Sequence, residues 1–334
     1  MLSARLVRRR LRAPFRIARG IKREACEIHV RVRANGAEGR GAAVPYPRYG
    51  ETPETALAAL APLADGALAS TFCHGGLLKR VEHRAARAAL DAALWDWRAK
   101  LAGRRIGKLL ELPMASTPVE TAFTISLDAP EQMARAAERA EGHHLLKLKL
   151  GAGSADDDRA RMMAVRRARP DARLIVDANE GWRAGDLTEL MRAARDVGVL
   201  LVEQPLAAGR DAALESLDEQ DRRLLCADES FLGTADEIGW ESLARRYGAI
   251  NIKLEKAGGL SAALILSIEA RRRGFAVMLG SMVAGSLALA PALLVAPLAD
   301  WCDLDGPFLV AEDDAPSLAD VDGRLSLPTP ALWG

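Results

Sequence analysis

The sequence has few of the features that mark secreted, zinc-binding or nucleic-acid-binding proteins. Only four of its 334 residues are cysteines and none forms a CxxC pair, which argues against a disulfide framework and against a zinc site. We interpret these cysteines as free thiols and predict a cytoplasmic location. They are Cys26, Cys73, Cys226 and Cys302. Lysine plus arginine (46) nearly balances aspartate plus glutamate (45), so the net charge of +1 predicts no nucleic-acid partner.

Charge is absent from one long stretch, residues 275–299, which must therefore be considered as a membrane span. The stretch contains two glycines and two prolines, so a strand, a turn and a buried helix explain it equally well, and we predict no membrane partner. Acidic residues are absent before Glu24, but the basic N-terminus also lacks the apolar run of a secretory signal. We interpret it as an edge strand, with a transit peptide as the alternative.

Short apolar runs that each end in a polar residue recur through the rest of the chain. Successive ends are separated by 22 residues (Ser281 to Asp303) to 28 residues (Lys149 to Asp177), which fits a strand, a helix and two short loops. The eight ends are Thr124, Lys149, Asp177, Glu203, Asp228, Lys253, Ser281 and Asp303. Eight such units predict an α/β fold, a parallel barrel of the (β/α)8 type.

The N-terminal third does not follow this repeat. Residues 1–115 contain alternating strands, a hairpin turn at Asn35-Gly36 and a helix predicted from Val81 to Leu101, so they predict a separate α+β capping domain. Residues 116–306 are predicted to form the barrel that carries the catalytic residues. The C-terminal segment 307–334 is predicted to return to the capping domain.

Three consecutive strands, the third to the fifth, end in the carboxylates Asp177, Glu203 and Asp228. Active sites of such barrels lie at the carboxyl ends of the strands, so the three groups meet and would repel one another without a cation. Three oxygen ligands with room for water and substrate suit Mg²⁺, and we predict one ion per subunit. Asn179 lies two residues beyond Asp177 on the same face, and we expect it to support a metal ligand.

Lysines end the second and the sixth strands, at Lys149 and Lys253. Strands four apart in an eight-stranded barrel lie opposite each other, so a substrate carbon between them has one amine on each face. This geometry indicates removal of a proton from a carbon α to a carboxylate and its return on the opposite face. The metal would stabilise the enediolate. Lys147, two residues before Lys149, would add positive charge beside it.

The eighth strand carries two carboxylates on one face, Asp303 and Asp305. They lie across the barrel from the metal and can hold a cationic group. A substrate held by a carboxylate at the metal and an ammonium group at the eighth strand resembles a short peptide or an amino-acid derivative. Thr124, at the end of the first strand, is a further predicted substrate-binding residue.

At these residues the sequence resembles the enolase superfamily, its muconate-lactonizing-enzyme subgroup, and within it the dipeptide epimerases. The motifs are KLK ending at Lys149, DANE from Asp177, EQP from Glu203, ADES from Ala227, NIK ending at Lys253 and DLDG from Asp303. The resemblance implies a modified (β/α)7β barrel with a capping domain. It implies that two lysines are the acid/base catalysts (Lys149 and Lys253), and that Lys147 stabilises the enediolate. It also implies three Mg²⁺ ligands, Asp177, Glu203 and Asp228, and a dipeptide ammonium group at Asp303 and Asp305.

The function implied by this resemblance is epimerisation between L-Ala-L-Glu and L-Ala-D-Glu at the C-terminal residue. A basic residue of the first loop would meet the acidic side chain; Arg19 is our choice, followed by Lys22 and Arg23. Alternatives within the superfamily are N-acylamino acid racemase, o-succinylbenzoate synthase and muconate cycloisomerase. Outside it, the alternative is a non-catalytic binding protein. None of the rival substrates has a free ammonium group, so Asp303 with Asp305 favours the dipeptide. The sequence leaves a homo-oligomer open.

Overall fold

The structure is a computed structural model that describes residues 1–64, 74–112, 118–319 and 322–334. Cys73 and the domain boundary predicted between residues 115 and 116 lie outside the described residues. Three cysteines inside them are free thiols: Cys26, Cys226 and Cys302.

The described residues form an N-terminal antiparallel sheet with helices, followed by a parallel sheet that alternates with helices. The strands are β1 (Leu2–Ile17), β2 (Gly20–Ala34), β3 (Ala37–Ala43), β4 (Val119–Glu120), β5 (Phe123–Ile125), β6 (Leu145–Lys149), β7 (Arg173–Asp177), β8 (Val199–Glu203), β9 (Leu225–Ala227), β10 (Ala249–Lys253), β11 (Ala276–Gly280), β12 (Trp301–Asp303) and β13 (Arg324–Leu325). The α-helices are α1 (Pro53–Ala64), α2 (His74–Leu78), α3 (Arg84–Ala102), α4 (Ile106–Leu109), α5 (Pro130–Arg139), α6 (Ala155–Ala168), α7 (Leu187–Asp196), α8 (Glu219–Arg223), α9 (Trp240–Arg246), α10 (Leu254–Ala257), α11 (Leu260–Arg272), α12 (Ser286–Leu289) and α13 (Gly306–Leu309).

The N-terminal sheet has the order β1-β2-β3 and packs against α3. The predicted turn at Asn35-Gly36 is present, and both residues have positive φ, 49° and 77°. Glycine allows the close approach between the sheet and the helix, since a Cβ on Gly41 would lie 2.3 Å from the carbonyl oxygen of Ala89. The long strands β1 and β2 extend from this layer to the mouth of the barrel.

The parallel sheet runs in the order β5 to β12 without interruption. Its two ends are joined by a hydrogen bond from the Ala122 amide to the Cys302 carbonyl (2.8 Å), which completes the barrel. The deepest interior layer is apolar: Ala122, Leu145, Ile175, Leu201, Cys226, Ala249 and Met278. Because side chains alternate along a strand, residues two and four positions later also face inward, and they include the charged residues at the carboxyl ends.

The barrel departs from eight equal units after β12. In the described residues that follow β12, the one α-helix is α13, four residues long, in agreement with the (β/α)7β arrangement. The segment beyond it contacts the N-terminal domain, where Arg9 Nη2 donates to Asp314 Oδ1 (2.7 Å) and Trp333 Nε1 donates to the Ala92 carbonyl (3.0 Å). These are contacts that a returning segment would make, and the limits of the domains stay a prediction.

The uncharged stretch 275–299 is divided into strand β11, helix α12 and two 3₁₀ helices, and most of it is buried in the core. Its interruptions fall at the glycines and prolines noted in the sequence. Within the described ranges, every helix is too short or too polar to cross a membrane.

Candidate active site

A cavity of about 60 Å³ lies at the carboxyl ends of the barrel strands, under loops of the N-terminal domain; we call it the central cavity. All of the predicted site residues line it except Glu203 and Arg23, the third candidate for the side-chain contact. Glu203 is fully buried and contacts Lys147, which does line the cavity. The structure therefore brings the predicted residues together around one space.

Lys149 and Lys253 lie opposite each other in this cavity. They end β6 and β10, which are four places apart in the order of eight strands. Their exposed fractions are 7% and 8%, so both amines lie in a space from which most solvent is excluded. An atom held between them could be approached by one amine on each side.

The three predicted metal ligands lie on adjacent strands. Asp177 of β7 pairs directly with Glu203 of β8, while Glu203 pairs with Cys226, two residues before Asp228. All three carboxylates are at most 2% exposed. Burial of three negative groups requires compensating positive charge.

In the structure, that compensation comes from ammonium groups. The contacts are Lys149 Nζ to Asp177 Oδ2 (2.6 Å), Lys147 Nζ to Glu203 Oε2 (2.5 Å) and to Asp177 Oδ2 (3.3 Å), and Lys253 Nζ to Asp228 Oδ2 (2.7 Å). Every predicted metal ligand is therefore within ion-pair distance of at least one predicted catalytic lysine.

The pKa values follow from this network. Burial opposes ionisation of Asp228, but the ammonium groups of Lys253 and Lys256 outweigh it and lower the pKa of that carboxyl. Glu203 differs, because burial and the neighbouring charge of Asp177 raise its pKa. Burial alone would lower the pKa of Lys253, but Asp228 and Glu203 raise it well above the usual lysine value. While it is paired with these carboxylates, Lys253 therefore favours its protonated form.

The carboxylates fit Mg²⁺ by donor chemistry. They are adjacent, buried oxygen donors, and each already contacts a positive group, as a metal ligand would. Within the described residues, acidic, histidine and cysteine side chains do not form a cluster of three or more with metal-binding geometry. The Glu203 Oε2 atom lies 2.5 Å from Lys147 Nζ, but this ion pair lacks hydrogen-bond geometry, and the oxygen accepts no hydrogen bond in the described part of the chain.

Two residues that support the ligands were missed in the sequence. Asn251 Nδ2 donates to Glu203 Oε1 (2.7 Å), and Lys256 Nζ donates to Asp228 Oδ1 (2.6 Å). The Asn251 side chain also fills the space beside Gly280. A Cβ added at Gly280 would lie 2.5 Å from Asn251 Oδ1. Asn251 could have been found, because it precedes Lys253 by two residues and so faces inward as well.

Asn179 contacts a predicted metal ligand, but through its backbone. Its amide donates to Asp177 Oδ1 (2.8 Å), while its own side-chain Oδ1 has no hydrogen-bond partner among the described residues. Its φ of 47° bends the chain sharply just after β7. Asn179 therefore contacts the predicted metal ligand Asp177 through the backbone of this turn and not through its side chain.

The two aspartates of the eighth strand lie side by side on the opposite wall. Asp303 Oδ2 accepts a hydrogen bond from Lys147 Nζ (2.6 Å), and its buried Oδ1 has no hydrogen-bond partner among the described residues. Asp305 Oδ2 accepts from the Thr124 amide (2.7 Å). Burial, together with the charge of Asp303, raises the pKa of Asp305 to about 6. A further cation at this wall would relieve that repulsion.

Arg19 lines the central cavity but is already held by several acceptors. Its guanidinium donates to Glu229 Oε1 (2.6 Å), Glu180 Oε2 (2.9 Å) and the Asn179 carbonyl (2.9 Å). Glu180 also accepts two hydrogen bonds from Arg48, at 2.7 and 2.8 Å. These ion pairs join two loops of the N-terminal domain to the barrel, which sequence reasoning did not anticipate.

Lys22 is a second cation at the same loop, and it has different surroundings. Its Nζ lies 4.0 Å from the centre of the Tyr46 ring, a cation–π contact. Burial and the charges of Lys253 and Lys149 lower its pKa, and the Tyr46 hydroxyl opposes the shift. In the described part of the chain, no carboxylate forms an ion pair with Lys22. Arg23, the third candidate, is exposed and does not line the central cavity.

Comparison with known proteins agrees with this arrangement. Residues 131–331 match the family described as "Enolase C-terminal domain-like", and residues 1–111 match the "Mandelate racemase / muconate lactonizing enzyme, N-terminal domain". The chain belongs to the enolase superfamily. The predicted family and barrel architecture are thereby confirmed.

Among curated proteins, this enolase-superfamily member is similar to the L-Ala-D/L-Glu epimerase of Escherichia coli (strain K12). Identity is 40% over 319 residues, 95% of this chain and 96% of the relative. It is also similar to an N-acetyl-D-glutamate racemase of Pseudoalteromonas sp, with 39% identity over 297 residues, 89% of this chain and 91% of the relative. Both relatives are named as isomerases of amino-acid derivatives.

Two solved structures resemble this superfamily member over nearly the whole chain. One is an enolase family member from Agrobacterium tumefaciens with homology to dipeptide epimerases, described with bound sodium and L-Ala-L-Glu. Its TM-score is 0.92 at 41% identity, with 100% of this chain and 99% of that chain covered. The other is a dipeptide epimerase from Methylococcus capsulatus complexed with Mg and L-Arg-D-Lys, with a TM-score of 0.89, 33% identity, and coverage of 98% and 96%.

Proposed function

We propose that this enolase-superfamily member is a Mg²⁺-dependent dipeptide epimerase that interconverts L-Ala-L-Glu and L-Ala-D-Glu at the Cα of the C-terminal residue. The observation that carries the proposal is the opposed pair of lysines, Lys149 and Lys253, in one buried cavity. A single base could remove a proton but would return it to the same face. Two bases on opposite faces support inversion.

The reaction needs one neutral amine to take the α-proton and one ammonium group to return a proton. Asp177, Glu203 and Asp228 would hold Mg²⁺, which would bind the substrate carboxylate and lower the energy of its deprotonated form. With their charge compensated, the three carboxylates would hold the proton on Lys253 less strongly than they do when only the lysines compensate them. Lys147, which is fully buried, keeps a positive charge near the reacting carbon.

The wall formed by Asp303 and Asp305 favours a dipeptide substrate. Two buried carboxylates, one with a free oxygen, suit an ammonium group such as the N-terminus of a dipeptide. The second candidate function is N-acylamino-acid racemisation, which the Pseudoalteromonas relative makes worth testing. An N-acylated substrate has no ammonium group at that position, and we therefore rank it second.

Incubation of L-Ala-L-Glu with the protein and Mg²⁺ in D₂O tests the proposal. We expect the glutamyl α-proton signal to disappear and the L-Ala-D-Glu diastereomer to accumulate in NMR spectra. N-acetyl-L-glutamate in a parallel sample tests the second candidate. If L-Ala-L-Glu shows no exchange and yields no diastereomer, the assigned substrate is rejected. Turnover of N-acetylglutamate alone would favour the racemase.

Asp305→Asn is predicted to separate the two candidates. The variant keeps the size of the side chain but removes one negative charge from the proposed ammonium site. For L-Ala-L-Glu we expect kcat/KM to fall by roughly 10- to 150-fold, the effect of about 1.5–3 kcal/mol for a charged hydrogen bond. Any turnover of N-acetylglutamate should change much less. Equal losses for both substrates would argue against an ammonium site at Asp305.

We further propose that Lys22, rather than Arg19, contacts the glutamyl side chain. Arg19 already has two carboxylate partners, whereas Lys22 has none among the described residues, so a substrate carboxylate gains more from Lys22. The arginine chosen from the sequence would instead hold the loop in place.

Lys22→Met is predicted to reduce the preference for L-Ala-L-Glu over L-Ala-L-Gln by about 10- to 100-fold, because the neutral side chain no longer attracts the glutamyl carboxylate. The ratio of kcat/KM values for the two dipeptides measures this. The neighbouring exposed Arg23 provides the control, since Arg23→Met should keep the wild-type ratio. If Arg19→Met loses the preference for L-Ala-L-Glu and Lys22→Met keeps it, Arg19 and not Lys22 contacts the glutamyl side chain.

The cytoplasm and one Mg²⁺ per subunit remain our proposals for location and stoichiometry. The three free thiols of the described residues support a reducing compartment.

A further inference from the structure

A second, larger cavity lies beside the central cavity, outside the barrel wall. Its volume is about 440 Å³, and it is bounded by strands β1 and β5 and by helices α5 and α13; we call it the side cavity. Phe308 and Leu309 of the four-residue helix α13 form part of its lining. The proposed proton transfer does not use it.

The floor of the side cavity is aromatic. Phe123 stacks on His143 with 4.2 Å between ring centres, and Phe308 meets the same histidine edge-on at 5.0 Å. Burial lowers the pKa of His143 to about 4, so this ring is neutral at pH 7. The floor of the cavity therefore suits an apolar group, while charged side chains such as Arg16 and Asp128, which are partly exposed, line its outer part.

The two cavities share one wall. Among the described residues, only Phe15 and Thr124 line both. Thr124 belongs to a barrel strand, while Phe15 lies at the end of β1 that reaches the mouth. The Phe15 ring lies between the side cavity and the site, with Lys149 Nζ 5.7 Å from its centre. Phe15 thus separates the small central cavity from the larger side cavity.

The proposed ammonium site fixes which part of the substrate approaches this wall. The Thr124 amide donates to Asp305, and Asp303 lies beside it. An ammonium group bound by these aspartates is attached directly to the Cα of the N-terminal residue. The side chain on that carbon therefore starts next to Thr124 and Phe15.

We propose that Phe15 is a specificity-determining residue: it limits the N-terminal residue of the substrate to a small side chain. The side cavity behind it is an extension of the same subsite that Phe15 shuts off, and its aromatic floor fits large apolar side chains. This inference rests on the proposed dipeptide epimerase function. Removal of the Phe15 ring would join the two cavities. It would also remove the contact of the ring with Lys149, which affects both dipeptides alike and so leaves the ratio of their kcat/KM values as the readout.

The test compares L-Ala-L-Glu with L-Phe-L-Glu as substrates of the full-length protein loaded with Mg²⁺. Wild type should prefer L-Ala-L-Glu, and Phe15→Ala should shift the ratio of kcat/KM values toward L-Phe-L-Glu by about tenfold or more, the scale on which hydrophobic pockets discriminate. Phe308→Ala is the matched control. It enlarges the side cavity but leaves the partition in place, so it should keep the wild-type ratio.

Two results would overturn the inference while leaving the proposed function intact. One is a wild-type protein that uses both dipeptides equally well. The other is a Phe15→Ala variant that keeps activity on L-Ala-L-Glu with an unchanged ratio. If Phe15→Ala does not fold, Phe15→Leu decides, and an unchanged ratio there also rejects the role of Phe15. A wild-type protein inactive on every dipeptide would instead reject the proposed function.

Discussion

Replacement of Lys149 or Lys253 by methionine is expected to lower the rate of epimerisation by about 10³-fold, because each lysine is the proposed acid/base group on one face of the substrate carbon. Methionine keeps much of the side-chain volume but removes the amine. The rate is measured by polarimetry or by NMR with L-Ala-L-Glu and saturating Mg²⁺. Lys108→Met, at an exposed lysine far from the cavity, is the control and should retain wild-type activity.

The two variants should also differ from each other in a way that loss of folding cannot explain. In each variant one lysine remains on one face of the carbon, so only one diastereomer should exchange its α-proton with D₂O. Lys149→Met and Lys253→Met should exchange opposite diastereomers. A variant that epimerises at the wild-type rate would exclude that lysine from the mechanism. Exchange of both diastereomers by one variant would exclude the two-base scheme.

The site could be predicted from the sequence because its residues follow a local rule. Lys147 and Lys149 are two residues apart on one strand, so they had to share a face, and the apolar Leu145 continues that face inward. Asp305 lies two residues beyond the end of β12, at the start of α13, and lines the cavity with Asp303 although it is not part of the strand. The order of strands around a parallel barrel is the order along the chain, so distances along the sequence translated directly into positions around the cavity.

The remaining features depend on contacts between distant segments. The ion pairs of Arg19 and Arg48 with Glu180 join residues more than 130 positions apart, and strand periodicity carries no signal for them. Lys256 lies in the first turn after β10 rather than on the strand, so the alternation rule misses it. The side cavity is bounded by β1, β5, α5 and α13, which come together only in the assembled fold.

Helix boundaries show the same limit on a smaller scale. The helix predicted from Val81 begins at Arg84, where the His83 side chain accepts a hydrogen bond from the Ala86 amide and caps the first turn. Histidine is not among the residues that usually mark a helix start, so the sequence did not indicate this boundary. Its end, predicted at Leu101, falls at Ala102 before Gly103, a glycine with positive φ that ends the helix in the expected way.

Glu203→Gln is expected to weaken Mg²⁺ binding by at least about 100-fold, the upper end of the effect known for residues one layer behind a metal ligand. The substitution keeps the shape of the side chain and can keep the hydrogen bond to Asn251. It removes the charge of the central one of the three adjacent carboxylates. Titration calorimetry with chelator-treated protein measures the affinity, and Glu219→Gln, at a carboxylate that is 70% exposed, is the control.

Thermal unfolding provides a second measurement of this prediction that does not depend on turnover. A ligand that binds only the folded state at 100 times its Kd adds about 2.7 kcal/mol to the free energy of unfolding. Wild type and Glu219→Gln should therefore gain stability when Mg²⁺ is added, whereas Glu203→Gln should gain little at the same concentration. Chelation should abolish epimerisation by wild type, and Mg²⁺ should restore it. An equal gain in all three proteins would place the metal away from Glu203, and epimerisation that survives chelation would exclude a metal-dependent reaction.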